Sequence, residues 1–233
     1  MSASYSTGLV VNGTALPERR IGEHRYVEVP GDPCHFSVRV TNHTSTIVGF
    51  WMWVDGVKSP VWRYVSSVMD VDGFEVSDTK CQQFRFAKPT VPHSEDATAS
   101  THSARSADGG HIGCIELAFW PLTKVEPYDV TIEKSTYDHV RQLAAPTLDQ
   151  CSSGEIMLKV ASELGEFKAK TPARSLKWKL DDGADEPIFK TKLFYRPRMQ
   201  LDVLEDLHGP PDAGPTAVAT PKRQRVSVVV DLT

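Results

Sequence analysis

An antiparallel β-sandwich of the immunoglobulin or jelly-roll kind is the fold class the sequence predicts, all-β in the main, with one or two short helices and a flexible C-terminal tail. Two observations lead there. Apolar residues recur with period two in one segment after another, and only two segments carry helical spacing.

Phe36, Val38 and Val40 fall on one face of a strand, with His35, Ser37, Arg39 and Thr41 on the other. Such a strand covers a core and meets water. Residues 47–54, Ile-Val-Gly-Phe-Trp-Met-Trp-Val, are apolar on both faces, which predicts a central strand covered on both sides. Asp55-Gly56 then supplies a hairpin turn. Further strands are expected over 24–29, 61–68, 82–87, 112–120, 154–160, 175–180 and 187–195. Leu176 to Leu180 alternates, and so does Phe189 to Leu193, whose Lys190 and Lys192 would face water or guard an edge. Helices are expected over 136–145, stopped by Pro146, and over 198–207, where Leu201, Leu204 and Leu207 lie three apart before Gly209. Residues 91–110 read as a long polar loop, with shorter connections at 168–174 and 181–186. Residues 208–221 read as a flexible linker rich in Gly, Pro, Ala and Thr. The chain thus divides into a sandwich domain, 5–207, and a tail, 208–233.

The 233 residues are enough for one large domain with a sizeable core. The net charge of −4 argues against direct nucleic-acid binding by the molecule as a whole. No segment approaches the roughly 18 apolar residues of a membrane span, and the N-terminus lacks a basic region followed by an apolar one, so no membrane partner is expected. An intracellular setting follows as the expectation. The cysteines at 34, 81, 114 and 151 are then reduced thiols, and the sequons at Asn12 and Asn42 are chance matches.

Val27-Glu28-Val29-Pro30-Gly31, Phe36-Ser37-Val38-Arg39-Val40 and Gly49 to Gly56 together resemble a β-domain family of unknown function that is common in fungi. Ile115-Glu116-Leu117-Ala118-Phe119-Trp120 and Ile188 to Arg196 are similar in kind, extending the resemblance over roughly 8–207. The resemblance implies a fold and no catalytic residue.

Motifs for chemistry are sparse. Asp70-Val71-Asp72-Gly73-Phe74-Glu75 resembles a fragment of a calcium loop but lacks its third acid and its position-twelve glutamate, so an Asp-Gly hairpin turn is the better reading. His93, His102, His111 and Cys114 make a conceivable zinc set, against which stands the ordinary solvation of histidines in a polar loop. No nucleophile elbow, thiol-protease signature or phosphate-cradling glycine loop occurs. The chain is therefore read as no enzyme, with no cofactor and no metal. Trp51, Trp53, Trp62 and Tyr64 cluster in sequence. They are expected to pack the inter-sheet core, the alternative being a carbohydrate or peptide platform, or the wall of a hydrolytic cleft.

The tail is the more specific feature. Lys222, Arg223 and Arg225 fit a short nuclear import signal, which would bring in an import receptor as partner. Val228-Val229-Val230-Asp231-Leu232-Thr233 resembles a SUMO-interacting motif. An extended β-branched segment can add itself to an exposed sheet edge, main-chain hydrogen bonds giving affinity and alternate side chains filling apolar pockets. By position, Val229, Val230 and Leu232 would enter the groove and Asp231 would face its basic rim. Ser227 beside them would strengthen that contact if phosphorylated. Two other readings stay open: a last strand of the sandwich itself, and an unrelated partner. The expected function is a nuclear, non-enzymatic adaptor recruited to SUMO or SUMO-modified proteins. The alternatives are a structural sandwich that self-assembles through an exchanged tail, and a carbohydrate-binding or hydrolytic domain.

Overall fold

The computed structural model describes residues 4–77, 79–87, 113–128, 161–169, 176–181 and 186–208. They form a sandwich of two sheets. The first sheet runs β10 (Gly73–Ser77), β11 (Lys80–Ala87), β5 (His35–Asn42), β1 (Tyr5–Val11) and β2 (Thr14–Ala15), with β9 (Val68–Val71) also on β5 and β13 (Ala161–Ala169) also on β11. The second runs β3 (Glu18–Ile21), β4 (His24–Glu28), β15 (Phe189–Arg196), β12 (Cys114–Tyr128), β6 (Val48–Val54) and β7 (Val57–Lys58). In it β8 (Arg63–Val65) also pairs β6, and β14 (Leu176–Leu180) also pairs β12. Among the described strands, β4 and β15 are parallel, Tyr26 opposite Phe194, and the other pairs are antiparallel.

The alternation of β5 places Phe36, Val38 and Val40 between the sheets, where they meet Phe50, Met52 and Val54 of β6 and Ile115, Leu117 and Phe119 of β12. Aromatic rings knit this core: Phe36 stacks on Phe86 with centroids 4.2 Å apart, and Tyr5 stacks on Phe119 at 4.6 Å. Two hairpins close on two residues each. Asn12-Gly13 joins β1 to β2 and Asp55-Gly56 joins β6 to β7, and all four residues have positive φ, 50° and 78° in each pair. That is the type I′ turn, whose twist matches its flanking strands and which Asn-Gly and Asp-Gly favour.

Three sequence expectations change. The strand expected over 61–68 is two: β8 pairs in one sheet and β9 in the other, so the chain changes sheets after Val65. Asp72-Gly73 is no hairpin turn. β9 pairs β5 and β10 pairs β11, and the chain continues along one sheet. Glycine is required at 73 because a Cβ would collide with the Gln82 backbone carbonyl. The third is the connection expected over 168–174, whose first two residues end β13; neither β13 nor the N-terminal strand β1, where Ser6, Thr7 and Gly8 dilute the apolar signal, is among the expected strands. The helix expected over 136–145, the strand over 154–160 and the loop 91–110 lie outside the described residues.

The helix α1 (Arg198–His208) follows Pro197 and lies on the outer side of the second sheet. Leu201 is fully buried there against Ile21, Tyr26, Cys114 and Phe194, with Leu204 beside it. Arg19 bridges to Glu205 at 3.0 Å and to Glu28 at 3.1 Å, tying the helix to β3 and β4. No helix among the described residues is long and apolar enough to cross a membrane.

Cys114 under this helix is buried, and burial pushes its thiol up to about 12. A raised thiol favours the folded state fully below its ordinary value near 9, and that contribution is lost as pH climbs from 9 towards 12. In the native protein at pH 8, Cys114 is expected to resist alkylation and to react once urea unfolds the chain. Peptide mapping by mass spectrometry reads this, and rapid native labelling of Cys114 would contradict the packing beneath α1.

Candidate functional site

On β6, Val48, Phe50, Met52 and Val54 are buried in the core, and strand geometry sends the intervening residues the other way. Trp51 and Trp53 therefore point out of the sandwich, half-buried, and the expectation that they fill the inter-sheet core is corrected. Both faces of β6 are apolar, so alternation alone could not say which one meets the opposing sheet. Phe50, Met52 and Val54 interleave between the sheets, and the bulkier indoles stand outside.

The outward side of the second sheet is built in rows. Trp51 lies opposite Ala118 and Lys190 follows across β12, while Trp53 lies opposite Glu116 and then Lys192. Gly49 lies opposite Trp120 on one side and Tyr64 on the other. Tyr64 is 40 % exposed, and Trp62 just before β8 is half-buried. Glycine at 49 makes room for a neighbouring apolar pair: a Cβ there would lie 2.6 Å from Leu180 and 2.8 Å from Leu122. The surface is thus partly aromatic and partly aliphatic, bordered by exposed lysines.

Lys58 of the Asp55-Gly56 hairpin reaches over the indoles. Its Nζ lies 3.8 Å from the Trp51 ring centroid and 5.6 Å from that of Trp53, a cation–π arrangement. Burial holds the Lys58 ammonium below the usual lysine range. Glu116 pairs with Lys192 at 3.1 Å, and this ion pair separates the aromatic area from the part of the sheet that α1 covers. Lys58, Trp120 and the Glu116–Lys192 pair belong to this surface through sheet register. Sequence spacing gave no sign of them.

The hairpin is anchored from below. Asp55 is 2 % exposed, and its carboxylate accepts hydrogen bonds from the Tyr195 hydroxyl at 2.6 Å, the Gly113 amide at 2.7 Å and the Cys114 amide at 3.1 Å. The Arg196 guanidinium donates to the Gly113 carbonyl at 2.6 Å. These contacts fix the turn carrying Lys58 to the starts and ends of β12 and β15.

The other sequence candidates separate from this surface. No group of three or more His, Cys, Asp or Glu among the described residues could hold a metal ion. Cys114 packs in the apolar cluster under α1, and His93, His102 and His111 lie outside the described residues. Asp70 of the calcium-like run pairs instead with Arg39, at 2.7 Å, which holds its carboxyl below the ordinary range. Lys222, Arg223, Arg225 and Val228 to Thr233 also lie outside the described residues. No family model, curated protein or solved structure matches the chain.

Proposed function

We propose that this chain is a non-enzymatic adaptor that binds SUMO, or SUMO-modified proteins, by adding Val228–Thr233 as a strand to the SUMO sheet, and that Lys222, Arg223 and Arg225 direct its nuclear import. The observation that supports it is the composition of the segment itself: three successive β-branched residues, then Asp231-Leu232-Thr233, with the basic cluster just upstream. Such a run is biased to extended backbone, presents apolar side chains to both sides, and supplies an acid for a basic rim. The ordering cost keeps affinity in the micromolar range, suited to multivalent assemblies. Titrating labelled SUMO with the full chain is expected to shift groove resonances. Val229→Ala with Leu232→Ala should weaken binding at least about tenfold, or ~1.4 kcal/mol. Unchanged groove resonances would sink the proposal.

A second reading follows from the outward Trp51 and Trp53. Indoles two residues apart on a strand could stack a carbohydrate or a peptide side chain. Lys58 already occupies a face of Trp51, so a stacking ligand must displace it. For that reason this reading ranks second. Oligosaccharide-dependent quenching of tryptophan fluorescence, lost in Trp53→Ala, is its test.

A further inference from the structure

Helix α1 carries more apolar surface than its seat on the sheet uses. Leu201 and Leu204 face the sheet, yet Met199, Val203 and Leu207 are 65 %, 45 % and 73 % exposed. Four-residue spacing places these three along one side of the helix, with Leu207 bordering Leu204 at its end. Asp202 and Asp206 lie beside the stripe; on this helix Asp202 pairs with Arg198 at 2.9 Å, Glu205 pairs with Arg19 of β3 at 3.0 Å, and His208 stands in the last turn. The helix's C-terminal end adds the negative pole of the backbone dipole. The stripe is therefore apolar, with Asp206 and the negative end of the helix beside it.

Three side chains fall far short of the roughly 800 Å² per partner that a stable complex of separate proteins buries. A tethered segment needs much less, because its effective concentration is about millimolar. The chain itself supplies a segment of the opposite character: Lys222, Arg223 and Arg225, then Val226, Val228 and Val230 at alternate positions. Alternate side chains of an extended segment repeat every ~6.7 Å. The apolar residues of α1 repeat every ~6 Å, four residues at ~1.5 Å each. The two rows match over three contacts. Residues 209–221 can span up to about 43 Å, and α1 is about 16 Å long, so the segment reaches any part of the stripe.

We infer that the outward stripe of α1, Met199, Val203 and Leu207, is a docking surface for the chain's own residues 222–230, so that basic cluster and valine strand are masked together and released together. Occupancy of the stripe regulates the SUMO-binding strand proposed above, and in that respect it rests on that reading. Two variants test it in the full chain: Val203→Lys with Leu207→Lys on the exposed side of the helix, and Lys222→Glu with Arg223→Glu and Arg225→Glu in the tail. In the methyl NMR spectrum, the tail variant is expected to shift the Met199, Val203 and Leu207 signals, independently of protein concentration. The helix variant should bind SUMO about threefold or more tightly than the parent, the factor by which a masked fraction lowers apparent affinity. Unchanged methyl signals in the tail variant overturn the inference. So do signals that move with protein concentration, which would assign the stripe to a second copy, and SUMO affinities equal in parent and helix variant. If SUMO binds neither protein, the SUMO reading fails and the methyl signals alone decide the docking surface.

Discussion

Asp55→Ala is expected to destabilise the domain by about 4 kcal/mol. The carboxylate receives the Tyr195 hydroxyl and the Gly113 and Cys114 amides in a buried setting. Removing it strands donors, at about 1–3 kcal/mol for each buried group left unsatisfied. Alanine must also adopt the φ of 50° that the type I′ turn imposes, adding about 1–2 kcal/mol. At roughly 2–4 °C per kcal/mol for a chain of this size, the midpoint of thermal unfolding should fall by about 8–16 °C. Asp55→Asn keeps an acceptor oxygen and tolerates the turn, so it should cost about half as much. Tyr195→Phe should cost about 1–2 kcal/mol, and a double-mutant cycle should show strong coupling with Asp55. Calorimetry and urea titration measure all three. A loss under 1 kcal/mol for Asp55→Ala would mean that the hairpin holds without this anchor.

Arg63 and Glu75 should give the second large effect. Arg63 is on β8 of one sheet and Glu75 on β10 of the other, and their ion pair, at 2.7 Å, crosses the sandwich. Glu75 is 2 % exposed, while the Arg63 side chain keeps 22 %. Removing one partner of a fully buried pair costs about 3–5 kcal/mol. The partial exposure of Arg63 places Glu75→Ala near the lower end, about 3 kcal/mol. Replacing both by methionine should recover most of the loss, because two apolar side chains leave no charge to desolvate. The informative comparison is between single and double variants in urea. A double variant as unstable as Glu75→Ala would show that the pair stabilises beyond its own desolvation cost.

The sandwich was legible because its strongest strands obey simple rules. β5 alternates along its whole length, Asp55-Gly56 announces its hairpin, and Leu201 with Leu204 announces the buried face of α1. Legibility failed where the deciding partner is distant in sequence. Nothing near Asp55 reveals that Gly113, Cys114 and Tyr195 will converge on it. Asp72-Gly73 looks like a turn, yet the glycine answers to the Gln82 carbonyl on the next strand. The outward placement of Trp51 and Trp53 depends on which apolar row of β6 fits the opposing sheet, and that is a property of two sheets together. Lys58 became part of the surface only once the hairpin folded it back over the indoles. The basic cluster and valine run are local motifs, readable without any fold.

The parallel pairing of β4 with β15 has a consequence for how the protein is made. Tyr26 waits for Phe194 and Val27 for Tyr195, so an early strand of the chain gains this neighbour only near the end of the domain's synthesis. Contacts this remote in sequence slow folding, since the closing loop must be ordered before they repay it. On the ribosome, the edge of β4 that β15 will cover stays unpaired until residue 196 has emerged. An open edge of that kind invites wrong pairing with other chains. Arg25 and Glu28 at this strand are charged and so suit an edge that must remain soluble while it waits.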